Sequence, residues 1–332
     1  MNSNRFCKFQ TPARQKGSVL ILVMVAVATA AVILMRTQFS SRQRMVKADS
    51  SLLAFQMEQA MTDTMLASCR NLANDEDLLV DTLEEPWAEA SEIVNPAGIS
   101  IRTRFEDANR YFDINNMLQD LETSDTREVT DIVNDLFNLC GDFSPGQRIQ
   151  ALSDWMDSNR NGFFESDLYE KGELPYAAKN RQFTDWSEWL SVRGFDLPYF
   201  GEAYTLRPRL PKDYEHIPLD TFTVLPVSRR IPTPVNVNTA GRQVLIGILG
   251  VSQTTLVDSI INARKLRPFR DMNTVVALVA PVLSPTVLKY MDVKSNYFIL
   301  QAQAYHKGHT ARAHALVFRD GGGDVEVLQW VM

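Results

Sequence analysis

The sequence has little of the chemistry on which enzymes depend. Its four histidines, at positions 216, 306, 309 and 314, stand in no nucleophile or metal-ligand pattern. The chain also lacks a Gly-x-Ser-x-Gly motif and a glycine-rich phosphate loop. A metal-dependent hydrolase at Asp154, Asp157 and Glu165 is an alternative, but no base or nucleophile accompanies these carboxylates. We therefore predict that the chain is not an enzyme.

Charge is absent from one long segment near the N-terminus. Residues 18–35 contain no charged side chain, whereas residues 1–17 carry four cations and no acid. At about 1.5 Å of rise per residue, such a helix reaches the lower limit for crossing a bilayer. A cleaved secretory signal is the alternative, although its apolar region is usually about 7–15 residues long. The basic flank favours the cytoplasm, so the rest of the chain should face outward.

Proline and glycine are absent from residues 18–70. Both residues disfavour the interior of a helix, and their absence permits an uninterrupted one. We predict a single helix over residues 18–72, with a transmembrane part followed by a stem.

Cations are scarce in the rest of the chain. Without residues 1–17 it has 30 Lys and Arg against 40 Asp and Glu, a formal charge of −10. A surface of this sign repels the phosphate backbone of DNA or RNA. A membrane-tethered DNA-binding protein is therefore the weaker alternative, and we expect no nucleic acid partner.

The pattern after the stem predicts an α+β head with a large helical insertion. Residues 98–107 alternate as a strand, residues 111–115 are predicted to continue its sheet, and the tail alternates again from residue 297. Helical spacing dominates the residues between these strands. The predicted divisions are a leader (1–17), the transmembrane and stem helix (18–72), the start of the head (73–115), an inserted helical domain (116–293) and C-terminal strands (294–332).

Residues 235–280 resemble a helix–hairpin–helix module. Thr239 is predicted to cap its first helix and Gly250 to make the hairpin. DNA-binding modules usually carry a second glycine where this chain has Ser252, which favours a role in packing. Residues 113–116 precede a similar arrangement, so the insertion contains either two such units or a coincidental echo.

Residues 157–167 resemble the first half of an EF-hand loop. Asp157, Asn159 and Asn161 follow at steps of two and precede Gly162, and these three side chains would face one ion. Glu165 and Asp167 add carboxylates, although the usual glutamate at the twelfth position is replaced by a leucine. An oxygen-only set favours calcium over zinc or iron. The alternative is a solvated turn rich in Asn and Gly.

Four features together resemble the K-type minor pseudopilins of bacterial type II secretion. They are the basic leader ending in Gly17, the apolar helix directly after it, the Asn238-Thr239-Ala240 module, and the central segment around Asp154 and Asp157. Ordinary pilins carry a glutamate at the fifth residue after the leader, whereas this chain has Leu22, as K-type subunits do. The resemblance covers about residues 15–330.

The resemblance implies a structural subunit that caps the tip of the pseudopilus and supports export of folded proteins across the outer membrane. It implies a pilin-like head, cleavage between Gly17 and Ser18 by the prepilin peptidase, and calcium bound in the helical domain. The implied partners are the I-type and J-type minor pseudopilins and the major pseudopilin. The chain would pass once through the inner membrane, with its bulk in the periplasm.

Cysteine is rare, with three residues in the chain. Cys7 lies in the leader, so Cys69 and Cys140 remain in the processed protein. An oxidising periplasm favours a disulfide between them, and two buried thiols are the alternative.

We expect the processed protein to begin at Ser18. Replacing Gly17 with alanine should leave some cleavage, because alanine is small, whereas Gly17→Val should block it. N-terminal sequencing of membrane-extracted protein measures this. A chain that still starts at Met1 in assembled material would contradict the pilin-like processing.

Overall fold

The computed structural model describes residues 18–118, 128–142, 145–171, 175–195, 221–226, 232–279 and 285–331. Its α-helices are α1 (Ser18–Ala73), α2 (Val129–Leu139), α3 (Gly146–Met156), α4 (Ser166–Tyr169), α5 (Arg242–Leu249), α6 (Thr254–Leu266), α7 (Met272–Val279) and α8 (Pro285–Leu288). Its strands are β1 (Ser91–Val94), β2 (Ser100–Asp107), β3 (Phe112–Asp113), β4 (Phe222–Thr223), β5 (Val235–Asn236), β6 (Met291–Asp292), β7 (Tyr297–His306), β8 (His309–Arg319) and β9 (Val325–Val331).

One antiparallel sheet has the strand order β1-β2-β7-β8-β9. Strand β2 pairs with β7 from Ser100 opposite Tyr305 to Asp107 opposite Phe298. Residues 108–296 therefore lie, in sequence, between two strands that are neighbours in the sheet. The predicted α+β class, with a long N-terminal helix and an antiparallel sheet, is confirmed.

The chain divides into two compact units, one ending at Met57 and the other comprising Glu58–Met332. In the second unit the last turns of α1 cover one face of the sheet, where Met61, Met65 and Leu72 are buried. Ser68 and Thr103 place their hydroxyl oxygens 3.1 Å apart across this contact. Burial alternates along β2 because successive side chains of a strand point to opposite faces.

The helices have a hydrophobic core of their own, separate in composition from the core under the sheet. Helix α2 packs on α5, and a Cβ at Gly247 would lie 2.1 Å from Leu136 Cδ2. Only glycine permits this approach, since no heavy atom fits at that distance. Phe112 and Ile114 are fully buried in this core. The predicted continuation of the sheet through residues 111–115 is therefore wrong: Phe112 packs against Phe222 instead.

Two turns in the helical region share one pattern of hydrogen bonds. In the first, Asp113 Oδ1 accepts from Asn115 N at 3.2 Å. The Asn115 amide then donates to the carbonyl oxygens of Phe183 and Leu225 and accepts from Phe183 N. Residues far apart in the sequence are thereby joined at the base of the first helical unit.

The second turn repeats this arrangement. Asn236 Oδ1 accepts from Asn238 N at 2.9 Å, and the Asn238 amide donates to Phe269 O and Val293 O and accepts from Phe269 N. Each turn also follows a two-residue parallel ladder, β3 with β4 and β5 with β6. The echo in the sequence thus corresponds to two helical units with the same hydrogen bonds. Asn115 makes these bonds in the first unit, and Asn238 makes them in the second.

A buried polar cluster joins the second unit to the sheet. Asp107, at the end of β2, accepts from the Ser295 hydroxyl at 2.7 Å, from Asn236 Nδ2 at 3.3 Å and from Asn109 N at 2.8 Å. Thr239 Oγ1 also donates to Asp107. The prediction that Thr239 caps a helix is wrong, because α5 begins after Gly241 and the Thr239 hydroxyl is engaged by this carboxylate.

Arg319, at the end of β8, extends the cluster toward the loop after α1. Its guanidinium is buried, bonds Asp75 Oδ2 at 2.7 Å and also bonds Asp81. Ser295 N donates to the second oxygen of Asp81 at 2.7 Å. Burial raises the pKa of Asp81 to about 7, although the Arg319 charge opposes that rise.

Cys69 and Cys140 are buried thiols in the structure and are not joined to each other. The structure thus contains the two buried thiols of the alternative and not the disulfide between them. Cys69 lies on α1 beneath the sheet, whereas Cys140 Sγ lies 3.1 Å from Thr221 Oγ1 in the helical region. Burial raises the pKa of the Cys69 thiol to about 11, which keeps it protonated and unreactive.

We expect Asp113→Asn to stabilise the protein at alkaline pH. Burial raises the pKa of Asp113 to about 8, above the value of about 3.9 in an unfolded chain. The folded state therefore binds the extra proton between these values, and stability falls by up to about 1.4 kcal/mol per pH unit as pH rises toward 8. Unfolding of detergent-solubilised parent and variant, followed by tryptophan fluorescence, measures the difference.

The second helical unit shows that an amide fits this position, because Asn236 makes the equivalent turn there. The advantage of Asp113→Asn should shrink as pH falls from 8 to 5. A difference between parent and variant that stays constant over this range would show that Asp113 is ionised in the folded protein.

Candidate functional site

Helix α1 carries the features expected of a membrane anchor. From Val19 onward it contains an 18-residue window with a mean hydropathy of 2.6, none of it buried within the protein. Within the described part of the chain, α1 is thus one helix long and apolar enough to cross a membrane. It begins at Ser18, and Leu22 is 71% exposed on its surface. Gly17, the predicted last residue of the leader, lies outside the described residues.

The candidate calcium loop begins where α3 ends. Asp157 closes that helix, and its Oδ1 accepts from Asn159 N at 3.0 Å. Asn159 Oδ1 in turn accepts from Asn161 N at 2.6 Å. Two successive turns of this kind curl the backbone, as short polar side chains do in tight loops. The structure thus brings the three residues with two-step spacing into one exposed turn.

Asp154 enters the same loop from the last turn of α3. Its carboxylate is 6% exposed, and its Oδ2 accepts from Phe164 N at 2.8 Å. A Cβ at Gly162 would lie 2.3–2.5 Å from the carboxyl atoms of Asp154. Gly162 therefore permits an approach that any larger residue would prevent. The sequence indicated a glycine for the turn but did not assign Asp154 to the loop.

Asn180 closes the loop from a distant segment. Its side-chain Nδ2 donates to Asn159 O at 2.7 Å, and its backbone N–H donates to Trp155 O at 2.9 Å. The residue has φ +50°, a left-handed conformation that asparagine tolerates better than most residues. Its Oδ1 is buried and accepts no hydrogen bond from the residues that the structure describes. This oxygen was not predicted as a ligand, because its position depends on tertiary contacts.

The remaining predicted ligands differ in their placement. Glu165 is 6% exposed, three residues after Gly162. The side chain of Asp167 lies outside the described structure, although its backbone belongs to α4. The available metal ligands are carboxylate and amide oxygens, and among the described residues the buried amide oxygen of Asn180 has no hydrogen-bond partner. These residues fit a hard cation such as calcium better than a soft one.

An aromatic cluster supports the loop from below. Trp155 contacts the rings of Tyr169 and Tyr176 at centroid distances of 5.4 and 6.2 Å. The Tyr169 hydroxyl accepts from Arg193 N at 3.1 Å, and the Tyr176 hydroxyl donates to Ser191 O at 2.8 Å. Polar tips on apolar rings thereby tie residues 186–195 to the loop.

A second group of carboxylates lies beside the buried cluster of the sheet. Asp75, Asp81 and Glu85 place ligand atoms within 4.8 Å of one another. Arg319 already bonds two of these residues, and Trp87 Nε1 donates to Glu85 at 2.6 Å. The Arg319 guanidinium and the Trp87 N–H thus already engage all three carboxylates, which favours a structural role.

Comparisons with known proteins agree with this architecture. A family model described as type II secretion system protein K matches residues 110–201, about a quarter of the chain. No curated protein matches the sequence. A chain in the crystal structure of the GspK-GspI-GspJ complex from the enterotoxigenic Escherichia coli type 2 secretion system has a similar fold, with a TM-score of 0.63 and 22% identity. The match covers 87% of this chain and 98% of that one.

The α+β head with a helical insertion is thus similar in fold to a chain of the GspK-GspI-GspJ complex. The predicted resemblance to minor pseudopilin K is confirmed, both by the domain at residues 110–201 and by this fold.

Proposed function

We propose that the chain caps the tip of the type II secretion pseudopilus and so supports export of folded proteins across the outer membrane. The fold shared with a chain of the GspK-GspI-GspJ complex carries this proposal. Its partners are the I-type and J-type minor pseudopilins, and below them the major pseudopilin. The role is structural, with no turnover.

The residue at position 22 supports a position at the end of the pseudopilus. Leu22 stands where ordinary pilins have a glutamate that engages the subunit next to it, and a leucine cannot form such an ion pair. A carboxylate in a membrane helix is costly, so it is kept only where it has a function. A subunit at the end of the stack has no neighbour on one side and does not need this contact.

The helical insertion gives the head its size and its likeness to packing modules. Its two units resemble helix–hairpin–helix modules, and their helices pack against each other, as α2 and α5 do at Gly247. Gly250 makes the hairpin of the second unit with φ +108°. The surface at the hairpin carries the apolar Val251, 52% exposed, in place of a cationic patch. We infer a role in protein contacts, in the periplasm.

Calcium is proposed as a structural ion of the insertion. Asp157, Asn159 and Asn161 would supply three oxygens, and Asp154 and Asn180 flank the same turn. Bound calcium would hold this turn to the segment containing Asn180. With two neutral asparagines among the ligands, we expect weak binding, in the range of about 10⁻⁴–10⁻³ M.

Deletion of the chain should stop export by its secretion system, and a tagged chain should co-purify with the I-type and J-type subunits from detergent-solubilised membranes. The reason is that, under this proposal, a pseudopilus without this chain lacks the subunit at its tip. Secretion of native substrates and mass spectrometry of the purified complex measure the two effects. Normal export after deletion, or a tagged chain that recovers neither subunit, contradicts the proposal.

Two matched variants of α1 test whether Leu22 confines the chain to the tip of the pseudopilus. Leu22→Glu restores a carboxylate at the position where pilins use it, whereas Leu20→Glu adds the same charge two residues away. Only Leu22→Glu should raise the number of copies per major pseudopilin in sheared pseudopili. Equal counts for both variants would mean that Leu22 does not decide the position.

Asp157→Ala should lower the melting temperature of the protein in calcium and remove most of the shift that a chelator causes in the parent. An ion that binds only the folded state adds about 2.7 kcal/mol at a hundredfold excess over its dissociation constant. Differential scanning fluorimetry with millimolar calcium or chelator measures this. Asp142→Ala is the control, since Asp142 pairs with Arg148 on the other end of α3. If the parent has the same melting curve with and without calcium, the proposed ion site is wrong and these residues form only a solvated turn.

A further inference from the structure

The candidate calcium loop contains a sequence pair that occurs once in the chain. Asn161 is followed by Gly162, and no other asparagine of the 332 residues precedes a glycine. Both residues are exposed in the turn between α3 and α4. Calcium binding would involve the Asn161 oxygen but would not depend on which residue follows Asn161.

An asparagine followed by glycine is prone to attack by the next backbone nitrogen. The nitrogen of Gly162 can reach the side-chain Cγ of Asn161, because glycine has no Cβ to obstruct the approach or restrict the backbone. The same turn contains a natural comparison. Asn159 is also exposed, but the large side chain of Arg160 follows it.

The contacts of the turn leave the reacting groups accessible. The Asn161 backbone N–H is engaged by Asn159 Oδ1, at 2.6 Å, but its side-chain amide makes no hydrogen bond to the described residues. Among those residues the Gly162 N–H likewise has no acceptor. The Asn159 side chain, in contrast, accepts the Asn161 N–H, and the Asn159 carbonyl accepts from Asn180. The turn therefore holds Asn159 more firmly than Asn161.

We propose that Asn161 is a site of spontaneous deamidation. The Gly162 nitrogen loses its proton and bonds to Cγ of Asn161, and the side-chain amino group leaves as ammonia. Water then opens the five-membered imide at either carbonyl. Opening at one carbonyl gives aspartate at position 161, and opening at the other gives isoaspartate, in which the chain runs through the former side chain. No oxidant, reductant or enzyme is required.

The two products change the turn in opposite ways. Aspartate adds a carboxylate to the set formed by Asp157 and Asp154, and greater ligand charge strengthens calcium binding. Isoaspartate inserts a methylene into the backbone before Gly162, which removes the two-step spacing. This consequence rests on the proposed calcium role, whereas the deamidation itself does not.

Ageing of the full chain in detergent, at physiological temperature and mildly alkaline pH, tests the proposal. Peptide mapping by mass spectrometry should show conversion of amide to acid at Asn161, at a rate at least several-fold above that at Asn159. Asn161→Gln should abolish the product, because the longer side chain closes a larger ring, and Asn159→Gln should leave it unchanged. A rate at Asn161 no greater than at Asn159 overturns the proposal.

A second measurement guards against loss of fold and separates this proposal from that of calcium. Isoaspartate can be labelled by a carboxyl methyltransferase, and the label should appear in aged parent but not in aged Asn161→Gln. Calcium titration of Asn161→Asp should show binding roughly tenfold tighter than in the parent. In a further outcome, the parent and Asn161→Asp both release no heat on calorimetric titration with calcium while the parent still shows the mass shift at Asn161. That result would overturn the calcium role and support deamidation.

Discussion

A single buried carboxylate, Asp107, joins the antiparallel sheet to the helical insertion. It lies at the last position of β2 and accepts four hydrogen bonds, two of them from Thr239 and Asn236 of the second helical unit. Burial raises its pKa, and donors from several segments oppose this rise. A buried polar group that is fully satisfied fixes one arrangement, because any displacement would leave it without partners. The register between the sheet and the insertion therefore depends on this residue.

The two helical units share their closing contacts but differ in what they do. The second unit contributes Asn236 and Thr239 to the cluster at Asp107, which anchors the insertion to the sheet. The first has Asp113 at the position equivalent to Asn236, and its outer part supports the exposed turn at Asp157. Repetition of a stable unit thus allows one copy to provide attachment while the other carries the candidate ion loop. Close packing at Gly247 makes the pair a single body with one core.

The sequence indicated those parts of the fold that depend on local pattern. The uncharged run predicted α1, and alternation predicted β2 and the tail strands. Strand β1 was not predicted, because all four of its residues are exposed and no alternation marks it. The Thr239 hydroxyl bonds a residue 132 positions away, which no local rule for helix caps anticipates. In the candidate loop, spacing identified Asp157, Asn159 and Asn161, whereas Asn180 joins them only through the tertiary fold.

The pairing of β2 with β7 has a consequence for the order in which the chain folds. These strands are neighbours in space, yet residues 108–296 separate them in sequence. Closing so long a loop costs chain entropy, and contacts between distant residues slow folding. That cost falls when the intervening helices have already condensed, because a compact insertion brings its two ends together. We therefore expect the helical region to fold first and the pairing of β2 with β7 to form last.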